Sequence, residues 1–336
     1  MITSGYSNLG SAMLLSSQNT SMKVALEKAG NELSTGRKQD LIKATSGDLG
    51  KLFSIEATIG KLGTEANAID LAAGKATVTQ LSLSEIHESL VEFGPQLLAA
   101  VERGDMQTSR LIAKDARQGM GAVVSAINVR YGRHGVFSGA AVDQQAISSA
   151  DDILADISTI VASSTDSTTA LAAIDMYFFS SGGGFETNIF QGVAQNAPPF
   201  RSEDGTTIEY AQRADSYGIR SALRSLAIAA VAVDAPNFLG TSHQTDLLRE
   251  AGHAAIDATG MIIEIQESLG FSEGRIEQAR VKNQTMTGFF ELERSSILAA
   301  DPYESATRFQ ALEGQLQTIY TLTARLSGLS LTNFLR

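Results

Sequence analysis

The chain has 336 residues, a net charge of −11, 43% hydrophobic residues, no cysteine and no tryptophan. An acidic chain repels phosphate backbones, which argues against nucleic-acid binding. The lack of cysteine excludes disulfides, thiolate metal sites and cysteine nucleophiles, and no window approaches the run of apolar residues a membrane span needs.

Met1-Ile-Thr-Ser-Gly-Tyr-Ser-Asn8 has neither a charged n-region nor an apolar h-region. No Sec-type signal peptide is expected, and export without a cleaved signal stays open. Prolines stand only at 95, 198, 199, 236 and 302, leaving long stretches free of helix breakers.

The segment Asn8 to Leu33 reads as a helix. Ala12, Leu15, Asn19, Met22, Leu26, Ala29 and Leu33 fall at steps of three and four, the narrow stripe of a helix–helix seam. Gly36 supplies a left-handed stop. A polar stretch, Arg37 to Asp48, leads into a longer pattern: Leu52, Ile55, Ile59, Leu62, Ala66, Ile69, Ala73, Ala76, Gln80, Leu83, His87 and Leu90. From Ser46 to Glu92 this helix would span roughly 70 Å. An unbroken heptad of that length implies a partner helix. Gly94-Pro95 is a place for it to bend or break, and a further helix is expected from Met106 to Val129.

The centre changes character. Tyr131 to Gly139 is glycine-punctuated, Ser163 to Thr169 is a polar loop, and Gly182-Gly-Gly184 reads as a flexible break. Glu203-Asp204-Gly205-Thr206, within Phe200 to Tyr210, reads as a β-hairpin turn. Helix returns over Arg220 to Val233. The partner of the long helix then appears: Leu248, Ala251, Ala255, Ala258, Ile262, Ile265, Leu269, Ser272, Ile276, Ala279, Asn283, Met286, Phe290, Glu293 and Ile297 keep the same alternation. Gly270 and Gly274 interrupt it in composition and weaken the case for one unbroken helix. Asp301-Pro302 starts a last helix with proline in its first turn. Its stripe is Phe309, Leu312, Leu316, Ile319, Leu322, Leu326 and Leu329.

The expected fold is mainly α: a long helical coiled-coil rod of paired N- and C-terminal segments with a small mixed α/β central insert. The expected domains are 1–45 with 300–336 as a terminal helical core for assembly, 46–135 with 241–299 as a long-helix shaft, and 136–240 as a variable insert with a β-hairpin. The expected assembly interface comprises Leu15, Met22, Leu26, Leu33, Leu316, Ile319, Leu326, Leu329, Leu331, Phe334 and Leu335.

Candidates for chemistry are sparse. His253 and Asp257 lie one turn apart, but zinc takes at least three protein ligands. His87 falls on the heptad itself, as a polar seam residue that fixes register. Gly182 to Gly184 lacks the Lys-Ser/Thr of a phosphate loop. Asp151-Asp152 reads as a cap for a helix starting at Ile153. No catalytic, cofactor-binding or metal residues are expected, no cofactor, and no enzymatic activity.

Three segments resemble a known family. Glu32-Leu-Ser-Thr-Gly-Arg37 is similar to the conserved turn of the flagellin superfamily. Asn128-Val-Arg-Tyr-Gly-Arg-His-Gly-Val-Phe-Ser-Gly139 resembles the place where the family's third helix gives way to the outer domain. Gln310 to Arg336, ending Leu326-Ser-Gly-Leu-Ser-Leu-Thr-Asn-Phe-Leu335, resembles its C-terminal helix. The likeness covers about 1–45, 105–140 and 300–336. Lys38 to Asp48 lacks the longer Asp- and Ala-rich motif of filament flagellins, and the tail lacks their proline and Val/Leu ending. Both departures favour the hook–filament junction members.

The resemblance implies export through the flagellar type III channel, with a flagellar export chaperone as a partner. It implies self-assembly as a ring or helix, between an adjacent hook-associated junction protein and flagellin, with terminal helices that fold on assembly. Localisation would be secreted, in the bacterial flagellum, with no membrane insertion. The alternatives are a filament-forming flagellin and a helical secreted adaptor or effector unrelated to flagella.

Overall fold

The structure is a computed structural model that describes residues 4–334 except 41, 43, 44, 46, 203 and 204; at 4–9, 11, 12 and 326–334 only the backbone is described. Helix α1 covers Ser4–Thr35. It stops where Gly36 takes φ +65° and donates its N–H to the Glu32 carbonyl at 2.9 Å, the left-handed stop that glycine adopts without steric cost. Helix α2 covers Leu49–Val91, α3 Phe93–Glu102 and α4 Met106–Ile127. The break before α3 falls just ahead of Gly94-Pro95, as the proline requires. In the centre lie α5 (Ala150–Ser163), α6 (Ser167–Phe179), a single π turn (Phe185–Ile189) and α7 (Tyr217–Ala232). Helix α8 runs unbroken over Ser242–Leu298, through Gly270 and Gly274, and α9 covers Pro302–Phe334. The fold is mainly α, with two two-stranded antiparallel ladders among the described residues: β1 (Arg130–Tyr131) with β2 (His134–Gly135), and β3 (Phe200–Arg201) with β4 (Thr207–Ile208).

The second ladder is the hairpin that the 200–210 pattern predicts. Gly205 takes φ +84° in its turn, while Glu203 and Asp204 lie outside the described residues. The first ladder goes beyond the sequence expectation. Its signal is Gly132, which takes φ +62° in a two-residue loop.

The chain forms two compact units, Met1–Gly63 with Gln284–Arg336, and Thr64–Asn283. In the first, α1 packs on α9, and the start of α2 meets the end of α8 through Lys51–Glu293 at 2.8 Å and Glu56–Arg294 at 3.6 Å. In the second, α2 and α8 again run antiparallel. Asp70 pairs with Arg280 at 3.0 Å, Gln266 donates to Ser84 Oγ at 3.1 Å, and Asn283 donates to Glu65 at 3.0 Å. Ile69, Ala76, Leu83 and Leu90 on α2 are buried, as are Leu248, Ala255, Ile262, Leu269 and Ile276 on α8. Each fully buried aliphatic side chain contributes about 1.5–3 kcal/mol, so the seams outweigh the surface ion pairs across them, worth about 0–1 kcal/mol each. His87 lies half-buried in this seam, its Nδ1 out of solvent and without a protein partner.

The core of the second unit centres on α7. Every residue from Ser221 to Ala232 is buried, which fits a helix apolar on all faces. Arg224 is its one buried cation among the described residues; its Nε lies 2.5 Å from Asp175 on α6 and its Nη2 3.0 Å from Glu250 on α8. A buried guanidinium persists only with such partners. At the end of α4, the Asn128 amide donates to the Ile147 carbonyl and its oxygen accepts the N–H groups of Ala146 and Ile147. Beside it, the Tyr131 ring occupies the space over Gly74 on α2, where a Cβ would fall 2.3 Å from the hydroxyl.

Two expectations change. Helix α5 begins at Ala150, and its cap is Ser149, whose Oγ accepts the Asp152 N–H while Asp152 accepts the Ser149 N–H in return. The serine precedes the acidic pair, so the reciprocal capping box outcompetes a cap by the carboxylates alone. Gly182 to Gly184 is a packed turn, not a flexible break. A Cβ on Gly183 would meet the Met176 and Tyr177 carbonyls at 2.6 and 2.7 Å, and one on Gly184 would sit 2.1 Å from the Tyr177 ring. That ring is held by a 2.8 Å bond from its hydroxyl to Asp156.

Gly184→Ala should therefore destabilise the second unit by about 1–3 kcal/mol, read as a lower urea midpoint; a flexible linker would leave it unchanged. A second expectation concerns acid. Thr108 bonds Asp105 through hydroxyl and amide, and Thr169 bonds Asp166 through amide and hydroxyl, at the starts of α4 and α6. These bonds favour the charged carboxylates and hold both below their ordinary value of 3.8. The caps are complete above 3.8 and are lost as pH falls through the lower folded values. The Thr108 and Thr169 amide resonances should titrate with midpoints below pH 3.8, and Asp166→Ala should abolish the second titration.

Candidate assembly interface

The terminal helices offer an incompletely covered seam. Helices α1 and α9 lie antiparallel. Gly30 faces the Phe309 ring, with a built Cβ 3.4 Å from it, and further along α9 the Lys23 ammonium stands 5.8 Å from the Tyr320 ring centroid. Small residues at 29 and 30 let the aromatic ring lie against the α1 backbone. The same end of the pair is stitched to the turn after α1. Lys38 N–H donates to the Leu298 carbonyl at 2.8 Å, Ala300 N–H donates to the Gly36 carbonyl at 2.9 Å, and Arg37 bridges to Ala299. Helix α9 opens on Asp301, whose Oδ1 accepts the N–H groups of Tyr303 and Glu304; Pro302 behind it has no N–H to satisfy.

The residues expected at the interface fall into three groups. Leu15, Met22 and Leu26 on α1, with Leu316 and Ile319 on α9, are half-buried. Leu33 is 43% exposed. The side chains of Leu326, Leu329, Leu331 and Phe334, and all of Leu335, lie outside the described residues. Beyond Ala29 the seam steps three residues to Glu32, not four to Leu33; Glu32 is buried and meets Arg308 at 3.2 Å. Glu32, Ser305 and Arg308 escape a search for apolar steps, because the stripe test scores a carboxylate as surface. An acidic residue one step short of a seam position, with an arginine on the partner stripe, is the signal that would find them. The outer faces carry further apolar groups: Met13 and Leu14 are 65% and 62% exposed, and Val24, Tyr320 and Leu322 are also exposed.

Elsewhere the chemistry is spare. No group of three metal-binding side chains occurs among the described residues. An open depression of about 360 Å³ between α2 and α8 is lined by Ala73, Thr77, Glu273, Ile276, Glu277 and Arg280. Its arginine is already shared between Asp70 and Glu277. No helix is long and apolar enough to cross a membrane among the described residues.

Residues 254–335 match the family described as the bacterial flagellin C-terminal helical region. No curated protein matches the chain in sequence. Among solved structures, Bacillus cereus FlgL is 12% identical, with TM-score 0.42 over 70% of this chain and 100% of that one. A Vibrio parahaemolyticus protein described as a flagellar hook-associated protein is 14% identical, with TM-score 0.44 over 71% of this chain and 95% of that one. Both scores fall short of one half, and neither likeness bears on function.

Gly30 gives the seam its direct test. Gly30→Ala adds a Cβ in ordinary contact with Phe309 and removes a helix-interior glycine, so it should stabilise the terminal pair by about 0.5–1 kcal/mol. Gly30→Ile should displace the ring and speed amide exchange over residues 23–33 and 305–320 in hydrogen-exchange mass spectrometry.

Proposed function

From a chain that matches the flagellin C-terminal helical region at residues 254–335, we propose a structural subunit of the bacterial flagellum, at the joint between hook and filament. One observation carries the reading: the matched segment is the C-terminal part of α8 together with α9, one partner in each antiparallel helix pair. The terminal pair also supports it. A two-helix seam with half-buried Leu15, Met22, Leu26, Leu316 and Ile319, and exposed apolar residues on its outer faces, has surface left to bury. Added copies of the same helices satisfy that demand.

In this reading, residues 1–45 and 300–336 coil with neighbouring copies into the core of the assembly, with Leu33, Leu326, Leu329, Leu331, Phe334 and Leu335 joining the contacts. The long helices of 46–135 and 241–299 form the shaft around that core, and 136–240 packs outside. The work done is mechanical coupling, not catalysis. The partners are further copies of the chain, the neighbouring hook-associated protein, flagellin and an export chaperone. The protein leaves the cell through the flagellar export channel. A second reading, a flagellin that builds the filament itself, fits the same family match.

Deletion of the gene, followed by electron microscopy and assay of the medium, separates the two. A junction protein predicts complete hooks without filaments and flagellin shed into the medium. A filament protein predicts its own loss as the major shed or filamentous species. Truncating Leu329 to Arg336 should likewise abolish filament attachment while the 46–300 body keeps its cooperative melt. Normal attachment in the truncated strain would sink the assignment of the C-terminus.

A further inference from the structure

The stripe of α8 changes its cover at one point along the helix. Ile262, Leu269, Ile276 and Asn283 are buried, whereas beyond Asn283 the side chain of Met286 is exposed and those of Phe290, Glu293 and Ile297 are half-buried. On α2 the change is smaller: Ile69, Ala72 and Ala76 are buried, Ile59 is half-buried, and Leu52, Ile55 and Leu62 stay buried. The step on α8 coincides with the end of the second unit at Thr64 and Asn283. Two paired helices cover one face of each other, so fuller cover takes a third layer.

The β3–β4 hairpin supplies such a layer at this level. Phe200 and Ile208 are partners across its ladder and so share a face. Both are buried, while Arg201 and Thr207 on the opposite face are exposed. Phe200, Ile208 and Tyr210 belong to one apolar cluster with Ile69, Ala72, Leu269 and Ile276. A two-stranded hairpin is marginal by itself, so its apolar face depends on a neighbour. Polar contacts tie the hairpin to both helices. Ser202 Oγ donates to Glu65 Oε1 on α2 at 2.6 Å, and Glu65 Oε2 accepts from Asn283 Nδ2 on α8 at 3.0 Å. From α8, Ser272 Oγ donates to the Glu209 carbonyl at 2.7 Å and Arg275 Nη2 to the Thr207 carbonyl at 3.1 Å. One carboxylate thus joins hairpin, α2 and α8 where the second unit ends.

We propose that the β3–β4 hairpin is a clasp on the α2–α8 pair, so that opening of these helices over 49–63 and 284–298 stops at Glu65 and Asn283. Cooperative units end where buried contacts thin out, and local opening starts there. Beyond Asn283 the α8 stripe is half-covered. Before it, the hairpin adds an apolar face and the hydrogen bonds of Ser202, Ser272 and Arg275. The clasp reaches back along the chain, since Ser202 and Glu65 are 137 positions apart. These contacts all lie within the second unit, and the clasp acts whichever flagellar part the chain builds.

Hydrogen-exchange mass spectrometry on the full chain tests the clasp. In the unmodified protein, 64–76 and 269–283 should exchange more slowly than 49–63 and 284–298. Ile208→Ser weakens the hairpin's apolar face. It should speed exchange over 64–76 and 269–283 by about tenfold, equivalent to about 1.4 kcal/mol, and leave 83–101 and 247–262 unchanged. The double variant Ser272→Ala/Arg275→Ala keeps the apolar face and removes the bonds from α8, so it should act on the same segments by less. The proposal fails if neither variant speeds exchange locally at 64–76 and 269–283. That failure could take the form of retained protection, with or without release of 200–210, or of an even rise across 64–283. Equal exchange of all four segments in the unmodified protein would overturn it as well.

Discussion

The constraint on which the rest of this structure depends is the three–four spacing of apolar residues on α2 and α8. A helix with one such stripe cannot bury it alone, and the 43 residues of α2 cover theirs by antiparallel pairing with the 57 of α8. The pairing joins segments far apart in the chain, as the Gln266–Ser84 bond across 182 positions illustrates. Once they are joined, the intervening chain must leave and return on the same side of the sequence, and α3 to α7 pack where it does so. Gly94 and Gly252 permit this: a Cβ on either would meet the opposing helix at 3.1–3.2 Å. The close approach of α3 to α8 is thus set by two missing side chains.

The central helices solve a different problem. Helix α7 is buried on every face, so its position is fixed by neighbours on all sides and not by one partner. Burying Arg224 within it is unfavourable in isolation. Asp175 and Glu250 come from helices on either side of it, so the salt bridges specify which neighbours α7 has. The terminal pair differs. There the apolar groups are half-covered, and the single buried charge among the described residues sits at the base of the seam.

The relation of these pairs to function is one of unfinished burial. Within the second unit, the apolar side chains that face inward on α2 and α8 are covered to within a few per cent. On α1 and α9 they are not. Under the proposed assembly, the ends retain the surface that a self-contained protein would have enclosed. The match to the flagellin C-terminal helical region runs from within α8 through α9.

Much was legible in the residues themselves. The heptads named both long helices and their pairing, because burial of one stripe leaves a periodic record. Gly36, Asp301-Pro302 and the 200–210 hairpin were legible because backbone geometry there demands particular residue types. What only the tertiary structure decided depends on atoms brought from afar. Gly182 to Gly184 looks like a hinge until the Tyr177 ring and the Met176 carbonyl are seen to occupy the space a Cβ would need. Asp151-Asp152 looks like a cap until Ser149 is seen to close the box. Glu32 reads as a surface acid, and its buried pairing exists only because Arg308, 276 residues away, reaches it. Sequence periodicity records which face of a helix is covered. It does not record which atom covers it, because that is a property of two segments and not of one.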